Sequence, residues 1–194
     1  MSVVRVNQIQ DTSTNVAANI SGGVVTFTNP PAFASGADPF NSVIETFYYG
    51  SGDHVEANNA DLDQGWTSRT TDNTAYKNGG MTQSSGIWTF PSTGIWNVTL
   101  SFAFYDNQAS NSSGVLLLHS SDSGSNFVAV HGGYQNTRAA NAHANMVLTY
   151  TFNIANTSTQ RILFRITSGG NLNVRGGSSW TATKAQFIKL CPSV

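Results

Sequence analysis

The residues able to do chemistry are few, and their spacing is poor for it. The four histidines are His54, His119, His131 and His143. None stands in a His-x-x-x-His or Cys-x-x-Cys arrangement, so no zinc site is indicated. A hairpin of strands 115–121 and 125–131 would bring His119 and His131 within reach of each other. The plainer reading is two surface histidines near strand ends. Four of the ten carboxylates, Asp53, Glu56, Asp61 and Asp63, fall in one segment. Asp61-x-Asp63-x-Gly65 has the start of a calcium loop without the later bidentate glutamate. Glu56, Asp61 and Asp63 are also the only candidates for a glycosidase acid and base. The segment reads better as a solvated loop. No Gly-x-Ser-x-Gly elbow and no cofactor motif is present.

Aromatic side chains offer a second chemistry, stacking on sugar rings or burial against another subunit. Trp66, Tyr76, Tyr105, Tyr134 and Trp180 lie in or near expected loops, and interface packing is the favoured role. Trp88 and Trp96 fall on core faces. Asn97, Asn111 and Asn156 begin Asn-x-Ser/Thr sequons, which arise by chance in so polar a chain.

The elements that must carry these residues are strands. Trp96, Val98, Leu100, Phe102 and Phe104 alternate with Asn97, Thr99, Ser101 and Ala103. The same period of two runs through Met146–Ile154 and Ile162–Ile166. Val43–Tyr49, Ile87–Phe90, Val115–His119, Phe127–Val130 and Thr181–Leu190 are further candidates. Turn clusters at 108–113, 122–124 and 168–170 separate them. No apolar 3.6 period is sustained. Eight or so strands imply an all-β sandwich or jelly roll.

Composition narrows the setting. Charged residues are 10% of 194, and the net charge is −1. That excludes the basic field that collects phosphates, and nucleic acid as a partner with it. No stretch approaches the ~18 apolar residues of a membrane span. The single cysteine, Cys191, has no internal partner. Residues 1–7 carry no apolar run of a signal peptide, so synthesis in a cytoplasm is expected, with release by lysis or by assembly into something larger.

Residues 1–28 form a leader with two β-prone pieces, Val3–Ile9 and Val24–Phe27. Residues 29–40 hold Pro30, Pro31 and Pro39 and read as a stiff linker. Residues 41–194 form the main domain.

Gly86-Ile87-Trp88-Thr89-Phe90-Pro91-Ser92-Thr93-Gly94-Ile95-Trp96 resembles the signature of C1q/TNF-like jelly rolls, with Gly86, Trp88, Gly94 and Trp96 at its marked places. Gly176–Thr181 followed by Phe187–Leu190 is similar to that family's last loop and closing strand. The resemblance spans about 41–190. It departs from the family in using tryptophans for the usual phenylalanine and tyrosine, and in a polar insertion at 51–82. It implies a homotrimer around a three-fold axis and a non-catalytic head. Some members of the family bind calcium near that axis.

The leader resembles the start of tailed-phage virion proteins, cyanophage ones especially. On that resemblance Val3, Val4, Val6 and Ile9 anchor the chain to major capsid or tail proteins by adding to a partner's sheet edge. An extra strand packed on the chain's own domain is the alternative. The expectation is a virion structural protein, assembled in the host cytoplasm and displayed as a capsid decoration or head fibre. Tail fibre is the lesser form. A receptor- or glycan-binding adhesin head, with host-surface glycan as ligand, is the alternative reading.

Overall fold

The computed structural model describes residues 8–10, 16–21, 24–27, 43–50, 52–68, 80–106, 110–137, 139–177 and 183–193. The chain divides into two units, Met1–Asn41 and Ser42–Val194. Among the described residues every regular element is a strand.

In the first unit, β1 (Gln8–Gln10), β2 (Val16–Ser21) and β3 (Val24–Phe27) form an antiparallel meander. Ile9 lies opposite Ala18, and Ile20 opposite Val25. Strand β2 was not expected. Its Ala and Asn residues hide the alternation of Val16, Ala18 and Ile20. Val3, Val4, Val6 and the linker lie outside the described residues.

The second unit is a sandwich of two antiparallel sheets. One has the order β11-β10-β13-β8-β7. Its members are β7 (Thr82–Ser84), β8 (Ile87–Thr89), β10 (Ser110–Ser120), β11 (Val128–Thr137) and β13 (Arg161–Thr167). The other runs β5-β14-β9-β15-β4-β6, with β12 on the second side of β9. It contains β4 (Ile44–Tyr48), β5 (His54–Glu56), β6 (Thr67–Ser68), β9 (Gly94–Asp106), β12 (His143–Ile154), β14 (Leu172–Val174) and β15 (Lys184–Cys191).

The alternation in β9 puts Trp96, Val98, Leu100, Phe102 and Phe104 wholly inside. Ile162, Phe164 and Ile166 of β13 meet them from the other sheet. Trp88 lies in this core with ring centroids 4.8 Å from Phe47, 4.7 Å from Phe187 and 5.4 Å from Trp66. Edge-on and tilted contacts of this kind suit the ring quadrupoles.

Both Trp88 and Trp96 lie inside, on the core faces expected of them. They come from opposite sheets, because Phe90–Thr93 carries the chain from one layer to the other. Gly86 has φ +74°, and a Cβ there would lie 2.7 Å from the Leu62 carbonyl oxygen. Gly94 has φ +154°, and a Cβ would meet the Cys191 carbonyl oxygen at 2.7 Å. Both glycines of the motif are thus required by close backbone approach as well as by dihedral angle.

Candidate functional site

The acidic segment is only in part the solvated loop its composition suggests: Asp53 and Asp63 are exposed, but other residues are held. Asp61 takes Arg165 Nε at 2.6 Å and Nη2 at 3.2 Å on its two oxygens. Asp53 accepts from Arg175 Nε at 3.0 Å. Glu56 is buried and bonded to the Tyr49 hydroxyl. Leu62, among these carboxylates, is completely inside. Residues 59–62 are drawn in because their backbone pairs with β13, and polar composition carries no sign of that. Asp61, the first candidate calcium ligand, is thereby committed to an arginine on both oxygens. Glu45 is a second buried carboxylate, on the core side of β4, and accepts the Met81 N–H at 2.5 Å. Its place in an apolar strand gave no signal of its bond.

The histidines do not form a pair. In the β10–β11 ladder His131 is opposite Leu117 and His119 is opposite Val128. Their rings lie instead along β12, His119 5.6 Å from Phe152 and His131 6.1 Å from Tyr150. Burial pushes the His119 imidazole below its ordinary value. His143 accepts or shares a hydrogen bond with Arg175 Nη1 at 3.2 Å.

Trp66 is a correction. It is 5% exposed, with its Nε1 donating to the Leu62 carbonyl at 2.7 Å and its ring 4.9 Å from Tyr49. The polar residues around it suggested a loop, whereas the fold turns it inward against Trp88. It offers no platform to a ligand. Tyr134 does project, 59% exposed on the edge strand β11. Tyr105 is half-buried beside His143 and Arg175. Tyr76 and Trp180 lie outside the described residues.

A surface that the sequence left unremarked is the outer side of β12-β9-β15-β4, exposed or half-buried along β12, β9 and β15 and buried at Thr46 and Tyr48 of β4. Register sets its rows. Thr151, Asn97, Ile188 and Ile44 form one; Thr149, Thr99, Gln186 and Thr46 the next; Val147, Ser101, Lys184 and Tyr48 the third. Lys184 is the only formal charge in the three. Hydroxyls and amides bond across the strands, as in Thr99 Oγ1 to Thr149 Oγ1 at 3.2 Å and Asn97 Nδ2 to Thr151 Oγ1 at 3.4 Å. Val147 stands out of this face, 65% exposed. The other sheet presents Arg161 and Arg165 outward from β13, the first held by nearby backbone carbonyls and the second by Asp61. A charge-poor, mutually bonded face is less costly to desolvate than a charged one. Depletion of charge is the compositional mark of an interface centre. The arrangement is a charge-poor sheet face whose polar groups bond to one another.

No protein-family model and no curated sequence matches the chain. Solved structures do match. Eiger TNF from S. frugiperda superposes with a TM-score of 0.62 at 14% identity, over 79% of this chain and 95% of that one. Murine APRIL at pH 5.0 gives 0.54 at 12% identity, over 77% and 99%. Murine APRIL at pH 8.0 gives 0.51 at 14%, over the same shares. The sandwich is a C1q/TNF-like jelly roll. In this jelly roll the charge-poor face belongs to the seven-stranded sheet, and the motif glycines and tryptophans belong to its interior.

Proposed function

We propose that the chain is a non-catalytic structural subunit that works as a homotrimer, its jelly rolls packed through the outer face of β12-β9-β15-β4. The observation that carries this reading is the near absence of charge from three full rows of that face. The setting is a bacteriophage virion, where the head decorates the capsid or forms a short head fibre, less favourably a tail fibre. The resemblance of the leader to tailed-phage virion proteins supports this setting. The first unit is the anchor to capsid or tail proteins, and Ile9 in β1 is its described contact candidate.

Light scattering of the purified protein is expected to give three times 20.7 kDa. A stable monomer at micromolar concentration overturns the trimer. Electron microscopy of native particles with and without residues 1–41 tests the anchor. Heads that remain bound without those residues overturn it.

Exposed Tyr134 favours a second reading, an adhesin head stacking on host-surface glycan. A glycan array without signal removes that reading.

A further inference from the structure

We propose that segment 52–66 is a strap between the two sheets, tightened by acid through uptake of a proton at the buried Glu56 carboxyl beside the Tyr49 hydroxyl. The strap joins both layers. Its first part, β5, pairs with β14 of the seven-stranded sheet. Its second part pairs with β13 of the other sheet, Leu62 N–H to the Phe164 carbonyl at 2.8 Å and Ile166 N–H to the Ala60 carbonyl at 2.8 Å. Leu62 and Trp66 then enter the core beneath it.

Glu56 lies where the strap leaves the first sheet. It is opposite Leu172, a core residue, so its carboxyl is on the dry side. Among the described residues its hydrogen-bond partner is the Tyr49 hydroxyl, and His54 is the cationic group acting on it. The nearby guanidinium groups are taken, Arg175 by Asp53 and Arg165 by Asp61. The other groups acting on it are Asp63 and His54. Beyond Leu172 in the same row is Asp106 of β9, which accepts from Ser113 Oγ at 2.9 Å. A carboxylate so placed loses more by dehydration than the charge of His54 returns, and the neutral acid is favoured.

Burial, as the largest cause, and then the negative charge of Asp63 push Glu56 above its ordinary value. The Tyr49 hydrogen bond and His54 oppose them. Tyr49 itself, buried and beside Glu56, is pushed far above the ordinary phenol value and stays neutral. Because the folded value is raised, the stabilisation is complete below the ordinary glutamate value. It is lost as pH rises through the folded value, and is constant above it.

Amide exchange of the full chain, corrected for intrinsic rates, tests the strap between about pH 8 and about pH 5. Protection in 52–66 is expected to rise severalfold on acidification, with β12 as the unchanged reference. Glu56→Gln, which mimics the neutral acid, is expected to be protected at both values and flat between them. A flat wild type overturns the proposal, as does a Glu56→Gln variant that keeps the wild-type pH dependence. Should that variant fail to fold, Asp63→Asn serves. It removes a charge that raises Glu56, so the midpoint moves to lower pH, and an unmoved midpoint overturns the proposal.

Discussion

Replacing Val147 by glutamate separates assembly from folding. The side chain stands on β12, the first strand of the charge-poor face, and is 65% exposed in the single chain. Substitution at such a surface position changes folding stability by about 0.5 kcal/mol or less. Burial of a whole valine side chain is worth roughly 1.5 kcal/mol at the low end. Two thirds of that, covered on assembly, is about 1 kcal/mol per protomer and about 3 per trimer. At 1.4 kcal/mol per tenfold, lost burial alone weakens trimerisation by about two orders of magnitude. Each buried glutamate charge adds several kcal/mol more against assembly. Sedimentation equilibrium at micromolar concentration is therefore expected to show a monomer that still unfolds cooperatively in urea. Val128→Glu is the control, since Val128 is 69% exposed but on β11 of the other sheet. A Val147→Glu protein that keeps the trimer mass refutes the assignment of this face. So does a Val128→Glu protein that dissociates equally.

Other consequences are local. Gly86→Ala puts a Cβ against the Leu62 carbonyl at a positive φ, and a cost of about 1–3 kcal/mol is expected in urea unfolding. Trp66→Ala is expected to cost about 3–5 kcal/mol, whereas Tyr134→Ala stays within about 0.5. Equal effects from that pair would place Trp66 at the surface. Asp122 is held at about 2 by the Ser120 hydroxyl, then by the Asn126 side chain and backbone. Its value is depressed, so the contribution to the 121–127 loop is present above the ordinary aspartate value and is lost as pH falls through about 2. Asp122→Asn is expected to abolish that acid dependence, read by amide exchange of the loop or by carboxyl NMR titration.

Strands with one dry face were legible because their side chains obey a period of two. Trp96–Phe104 and Ile162–Ile166 announced both faces of the sandwich from letters alone. Strands of two or three residues, such as β5, β6, β7 and β14, are too short to show a period. Strand β11 extends well past the expected Val130, because Gly132, Gly133, Gln135 and Asn136 on an edge carry no apolar signal.

By itself, then, the sequence determined the all-β class, the core faces of the long strands and the Gly86–Trp96 motif. Each of these is a property of neighbours in the chain, which is where periodicity and turn chemistry act. The tertiary structure alone decided that Trp66 turns inward and that Trp88 and Trp96 come from opposite layers. It also decided that Asp61 and Asp53 meet arginines more than a hundred residues away. The uncharged face belongs with these decisions. Its rows are assembled from four strands that only long-range register places side by side, and composition cannot state a register.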